Sequence, residues 1–374
     1  MRHSQQVDND GKLAKHAAVY LSVVKRHGGF TLIEILIALA LGTVLIGGMI
    51  SVFAGYKQTS RMSEAMVEMQ QSARFALEEL SRDVRMAGFQ GCVDLETSSA
   101  NMIADNRPTD NLARTSIIGS TITGSSTMLP QGPLNFVFPA APVAVVPGTH
   151  ALTVQFGSQE THRINPMVDT RAPVVLADGT ETFSTGDLVL ISNCQVADVF
   201  EVSGSLSGSL QHDASVNSGI SELSAVYGTA GEANRPRAMR MESNVYFVAD
   251  TGRLGPDGDP IRALYKQSLP YTSPALQIIE GVELFRLRFG VRTEDSEDIT
   301  FLSPTQINGM EQQIVSVQIG LLMSSISSLG EEADDNIYML AGLPIAAGTG
   351  VDTHAGDRRM RMAFNTTVKI RNRR

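Results

Sequence analysis

Gly28-Gly29-Phe30-Thr31-Leu32-Ile33-Glu34, followed by Ile35 to Tyr56 without a charge, is the stretch from which the rest of the chain is read. As a helix, the 22 uncharged residues would span about 33 Å at roughly 1.5 Å per residue, enough to cross a bilayer. Glu34 sits at the entrance of this run. An unpaired acid at mid-membrane depth costs roughly 2.5–3.5 kcal/mol on insertion scales, so it asks for a functional reason. Lys25, Arg26 and His27 lie just upstream. The plain alternative is a signal anchor that carries a stray acid near its end.

The order of basic leader, glycine, phenylalanine, glutamate and long apolar helix resembles the processing motif of type IV prepilins and type II secretion pseudopilins. The resemblance implies that a membrane aspartic peptidase cuts after Gly29 and methylates the new amino group of Phe30. A residue without a side chain lets a protease approach the backbone closely. The new amine would lie four residues before Glu34, one helical turn away. In a low-dielectric setting an ammonium–carboxylate pair offsets much of the desolvation that either charge suffers alone. The family resemblance implies that Glu34, pairing with its own or a neighbour's amine, guides assembly.

Charge is divided along the chain. Residues 1–29 carry five Lys/Arg and two Asp/Glu, net +3, and the remainder carries 25 against 37, net −12. A basic flank before the apolar run and an acidic body after it suit a cytoplasmic N-terminus with the body across the inner membrane. The cut precedes the apolar core, so the helix stays on the mature protein, unlike a secretory signal. A 29-residue leader is longer than many in the family, and Met1 need not be the true start. Acidity argues against the body as a general nucleic-acid binder but leaves room for a local basic patch. Arg358, Arg359, Arg361, Lys369, Arg371, Arg373 and Arg374 crowd the C-terminus; the plain reading is a solvated strand face.

Gly42, Gly47 and Gly48 interrupt the apolar helix. They would either loosen it locally, at up to about 1 kcal/mol each, or let neighbouring helices approach. Beyond Tyr56 the pattern becomes amphipathic. Met62, Met66, Met69, Ala73, Ala76, Leu80 and Val84 recur at spacings of three and four, with Leu77 beside them, which predicts one buried face. Arg74–Glu78 and Glu78–Arg82 are spaced to pair, and Gly88 is the expected stop. Residues 30–56 are thus the membrane-spanning half of one helix and 57–91 its amphipathic half.

From Cys92 to residue 374 the chain is β-rich. Apolar and β-branched runs occur at Leu134–Phe138, Leu152–Phe156, Asp187–Ser192, Val196–Val202, Asn244–Val248, Ile261–Gln267, Val282–Val291, Ile314–Met323 and Met360–Ile370. Several alternate with period two, and the Gly, Pro, Ser and Asp between them predict antiparallel sheet rather than βαβ units. Stretches near 97–132, 203–236 and 341–357 read as loops. The expected fold is α+β and pilin-like: a long N-terminal helix, its first half membrane-spanning, packed on an antiparallel β-sheet body.

Arg82 through Cys92 is similar to the helix end and first cysteine of PilW-type minor pilins, and Asp187 through Cys194 to the strand bearing their second. Residues 280–291 and 364–372 are similar to that family's late blocks. One departure is residues 292–298, where relatives often carry a Gly-containing acidic loop, so a calcium loop is disfavoured. In an oxidising periplasm Cys92 and Cys194 should form a disulfide; the alternative is two unrelated buried thiols. No metal or cofactor is expected, since the cysteines lack CxxC spacing and the seven histidines are scattered.

The resemblance implies a low-abundance subunit that helps start a type IV pilus and sits at or near its tip. Its expected partners are the prepilin peptidase/N-methyltransferase, other minor pilins and the major pilin through the N-terminal helix, and in some relatives a tip adhesin. The nearest rival is the J-type minor pseudopilin of type II secretion. A membrane-anchored periplasmic enzyme is disfavoured: the sequence shows no Gly-x-Ser-x-Gly elbow, His-Glu-x-x-His or phosphate loop. Asp257-Gly258-Asp259 reads as a turn, and His162 and His212 as isolated residues of polar loops. No specific nucleic acid is expected, although a DNA-uptake pilin is a third possibility.

Overall fold

The computed structural model describes residues 29–95, 98–139, 143–179, 182–228, 236–292, 298–307 and 309–373. The leader residues 1–28 and the acidic stretch 293–297 lie outside the described residues. The chain divides into two units, Met1–Gln58 and Thr59–Arg374, and helix α1 (Leu32–Met86) runs through both.

In the first unit α1 is apolar on all sides. Leu32, Leu36, Leu45, Ile50 and Phe53 are each more than half exposed, the pattern of a helix made for lipid or for contact with other helices. It is long and apolar enough to cross a membrane. The helix continues through Gly42, Gly47 and Gly48 without a break, so the expected loosening is not seen. Nothing lies within 4 Å of where a Cβ would stand at any of the three.

In the second unit α1 becomes amphipathic. Met69, Ala73, Ala76, Leu80 and Val84 are buried as the spacing predicts, but Met62 is only half-buried and Met66 is exposed. The periodic stripe starts before the part of the helix that the body covers. Arg82 pairs with Glu79 at 2.7 Å rather than with Glu78. The helix ends where Gly88 takes φ +73°, its amide donating to Gln155 O at 2.9 Å. A Cβ there would stand 2.4 Å from Leu95 Cδ2, so only glycine fits this left-handed exit.

The larger sheet is built on one long strand, Arg237–Leu254. Its first half pairs antiparallel with His150–Arg163 on one side and Leu188–Ser192 on the other; its second half pairs with Pro260–Ser268. Leu188–Ser192 continues into Ala197–Glu201, and Ile117–Ile122 lies outside His150–Arg163. Pro260–Ser268 pairs with Leu276–Glu280. Gly281, at φ +77°, then turns the chain directly into the smaller sheet; a Cβ there would meet Ser324 O at 2.7 Å. That sheet runs Ile299–Leu302, Val282–Arg292, Ile314–Ser328, Arg359–Lys369, antiparallel throughout.

The buried face of α1 and the inner faces of both sheets share one core. Ala76 and Leu80 join Val154, Tyr246 and Leu264 of the larger sheet and Phe285, Phe289, Val317, Leu321 and Val368 of the smaller. The fold is therefore α+β, a long helix on a mostly antiparallel body, with short parallel pairs at Asn101–Met102 with Asp198–Val199 and at Ala346–Ala347 with Thr353–His354.

Several stretches differ from their reading in the sequence. Residues 97–132 hold the strand Ile117–Ile122, and 203–236 hold the short strands Gly204–Leu206 and Ser209–Gln211; Ser, Gly and Thr there serve close packing. Within 341–357, Leu343–Ala347 pairs with Tyr338–Leu340 around Ala341-Gly342, both at positive φ, the geometry of a tight hairpin. Leu134–Phe138 is not a strand. Asn135 takes φ 61° and breaks the extension, while Phe136 and Phe138 pack edge-on against Phe247. His162 and His212 are buried rather than isolated: His162 Nδ1 lies 3.2 Å from Asp178, and His212 Nε2 2.9 Å from Ala172 O.

Candidate functional site

Gly29 and Phe30 precede the helix, with Phe30 83 % exposed and no atom within 4 Å of a Cβ placed on Gly29. The first turn is closed by two side chains. Glu34 Oε2 accepts from both the amide and the hydroxyl of Thr31, each at 3.0 Å. Thr31 Oγ1 in turn accepts the Glu34 amide at 3.3 Å. This is a reciprocal capping box, which satisfies orphan amides and sets an anion at the positive end of the helix dipole. The spacing Thr-x-x-Glu is legible in Thr31-Leu32-Ile33-Glu34, and the sequence reading passed over it. The box holds the carboxylate against the amide of Thr31, one residue from the nitrogen of Phe30.

At the other end of α1 the chain is tied down covalently. Cys92 and Cys194 form a disulfide with Cα atoms 4.5 Å apart, joining the segment after the helix to the turn between Leu188–Ser192 and Ala197–Glu201. Asn193 shapes that turn, its Oδ1 accepting from the amides of Gln195 and Val196 at 3.1 and 3.0 Å. In the chain-entropy view a closed loop of this size stabilises by roughly 4.7 kcal/mol.

A polar cluster fixes the helix face. Asp83 Oδ2 accepts from Asn244 Nδ2 at 2.8 Å, Tyr246 Oη at 2.6 Å and Lys266 Nζ at 3.1 Å. Lys266 also reaches Glu79 at 3.0 Å. Burial, and then the Asp83 charge, push the Tyr246 phenol well above its ordinary value, so it remains a donor. Asp83 was not singled out from the sequence. A signal existed: a carboxylate in a last helical turn opposes the dipole and needs a partner.

The C-terminal basic residues separate into two groups. Arg361, its side chain out of solvent, holds Glu283 at 2.7 Å, Asp357 at 2.6 Å and Asp334 at 3.2 Å. Arg373 is also buried, donating to Ala113 O at 2.7 Å and Ser116 Oγ at 2.8 Å. Lys369 and Arg371 are exposed, and Arg374 lies outside the described residues.

An apolar helix opened by a single acid and carried into a disulfide-bonded α+β body defines a class, the prepilin-like subunits. The prokaryotic N-terminal methylation motif matches residues 24–50. The family model described as type IV pilus-assembly protein W matches residues 245–372, from the middle of the long strand through the whole smaller sheet. Together these matches are those of a PilW-type pilin with a prepilin-like motif, a type IV pilus-related subunit. The blocks around Cys92 and Cys194 lie outside both matched segments. No curated protein and no solved structure matches the chain.

Proposed function

We propose that this chain is a minor pilin that helps initiate a type IV pilus and is incorporated at or near its tip. The leader is cut between Gly29 and Phe30, Phe30 is N-methylated, and α1 leaves the inner membrane to dock among the helices of other minor pilins and the major pilin. The N-terminus begins in the cytoplasm, the body in the periplasm, and the product reaches the cell surface, where a tip adhesin is a further partner. The role is structural rather than enzymatic.

The observation that supports this most is the Thr31–Glu34 box at the head of a helix apolar on all sides. It keeps an acid satisfied within one chain while placing it beside the nitrogen that cleavage would free. Intact-mass and N-terminal analysis of the protein from its host tests the processing: a mature chain should begin with methylated Phe30. Recovery of the uncut chain from cells with working pili would overturn the proposal. The J-type pseudopilin of type II secretion shares the architecture. A deletion strain separates the two, losing pili and twitching in one case and exoprotein secretion in the other.

A further inference from the structure

The body carries net −12, yet one concave surface has only basic charge. A groove of about 670 Å³ is lined by Arg85, Arg292, Lys369 and Arg371, with Thr367 and the buried Val368, Ile370 and Arg373 as its floor. Among the described residues, none of the first four side chains has a carboxylate within ion-pair distance, and none of the groove's lining residues is acidic. Three separate elements converge here. Arg85 is in the last turn of α1, Arg292 ends Val282–Arg292, and Lys369 and Arg371 close the C-terminal strand segment. The Arg371 amide donates to Arg85 O at 3.3 Å, and Asn372 Nδ2 to Met86 O and Ala87 O at 3.4 and 3.2 Å. These bonds hold the backbones and leave the basic side chains outward.

Two ordinary explanations cover part of this. A cation in the last turn complements the helix dipole, which accounts for Arg85. Basic residues on an edge strand deter edge-to-edge pairing, which accounts for Lys369. Neither explains why residues from a helix end, an inner strand and an edge strand meet in one groove without a counter-charge. Four unneutralised cations close together repel one another, and an anion between them relieves that.

We propose that this groove binds the phosphate backbone of double-stranded nucleic acid, independently of base sequence. Arginine forks suit phosphate oxygens, and lysine adds a point charge. The groove has no aromatic residue on which unstacked bases could lie, which disfavours single strands. It has no exposed apolar anchor, whereas protein docking sites and membrane-surface sites are built around one. Contacts of this kind position a duplex and carry no sequence information. The inference is independent of the pilus reading and is tested on the purified chain.

The test is fluorescence anisotropy of a labelled random-sequence DNA duplex with the full chain in neutral phosphatidylcholine nanodiscs, between about 50 and 200 mM salt. Log affinity should fall against log salt with a slope of about −2.7 to −3.6, as expected for three or four phosphates. The double variant Lys369→Glu/Arg371→Glu should bind about tenfold more weakly or worse, with the slope shallower by about 1.8. Lys369→Arg/Arg371→Lys should bind as wild type. Arg358→Glu, an exposed position outside the groove, should also bind as wild type. Arg85→Gln/Arg292→Gln provides a second route to the loss should the first double variant fold poorly. Absence of binding at low salt, or equal binding by all variants, overturns the proposal. Preference for phosphatidylglycerol vesicles or poly-glutamate over the duplex also overturns it and assigns the groove to lipid or acidic protein.

Discussion

Asp83, in the last turns of α1, accepts a 2.6 Å hydrogen bond from the hydroxyl of Tyr246 on the long central strand. The bond ties helix to sheet in a place with almost no solvent, for Asp83 is 3 % exposed and Tyr246 fully buried. Tyr246→Phe removes one donor of three and should lower stability by roughly 1.5–3 kcal/mol. Asp83→Leu leaves Asn244, Tyr246 and Lys266 without their shared acceptor and should cost more, about 3–5 kcal/mol. Urea unfolding of the two variants checks the order; a costlier Tyr246→Phe would refute it.

His150 should make the fold sensitive to mild acid. Its Nδ1 accepts the Leu287 amide at 2.9 Å, and burial together with the nearby Arg286 charge lowers its pKa to about 3. The unfolded chain, with an ordinary histidine, binds a proton that the native state refuses. Stability is therefore complete above about pH 6.5 and falls by roughly 1.4 kcal/mol per unit as pH drops from there toward 3. Glu201 and Glu242, both raised chiefly by burial, act in the opposite sense near their own titrations, so the readout is a difference between proteins. His150→Asn keeps an acceptor for Leu287 and should flatten the dependence of the urea midpoint on pH between 4 and 7. An unchanged slope would show that another group titrates.

Arg361 anchors the segment between the last two long strands. Its guanidinium meets Glu283, Asp357 and Asp334, and Asp334 also accepts from Tyr338 Oη at 2.9 Å. Arg361→Met leaves buried carboxylates unpaired and should cost about 3–5 kcal/mol. Arg361→Lys keeps the charge but loses the fork, so an intermediate loss is expected. Hydrogen exchange should localise the loosening to residues 329–358; uniform loss of protection would argue for a general effect instead.

Glu34→Val should insert in the membrane normally yet fail to enter fibres, read as the ratio of membrane-bound to sheared-pilus protein. Thr31→Val keeps the Thr31 amide but removes the hydroxyl that both donates to and accepts from Glu34. It should weaken the helix start by about 0.5–2 kcal/mol and cause a milder assembly defect. Wild-type incorporation of Glu34→Val would remove the assembly role from this acid.

The sequence by itself determined what is local and periodic. The uncharged run from Ile35, the three-and-four spacing from Met69, the stop at Gly88 and the alternation in Val282–Arg292 all depend on near neighbours, and all are present in the fold. The Thr31–Glu34 box was equally local and could have been read. Tertiary structure decided everything that depends on residues far apart in the chain. It placed Asn244 and Lys266 around Asp83, turned Asn135 out of a strand, and parted the C-terminal arginines into a buried network at Arg361 and an open groove at Arg371. Composition assigns each of these a charge or an apolar surface; only the sheet register decides which groups face one another and which face water.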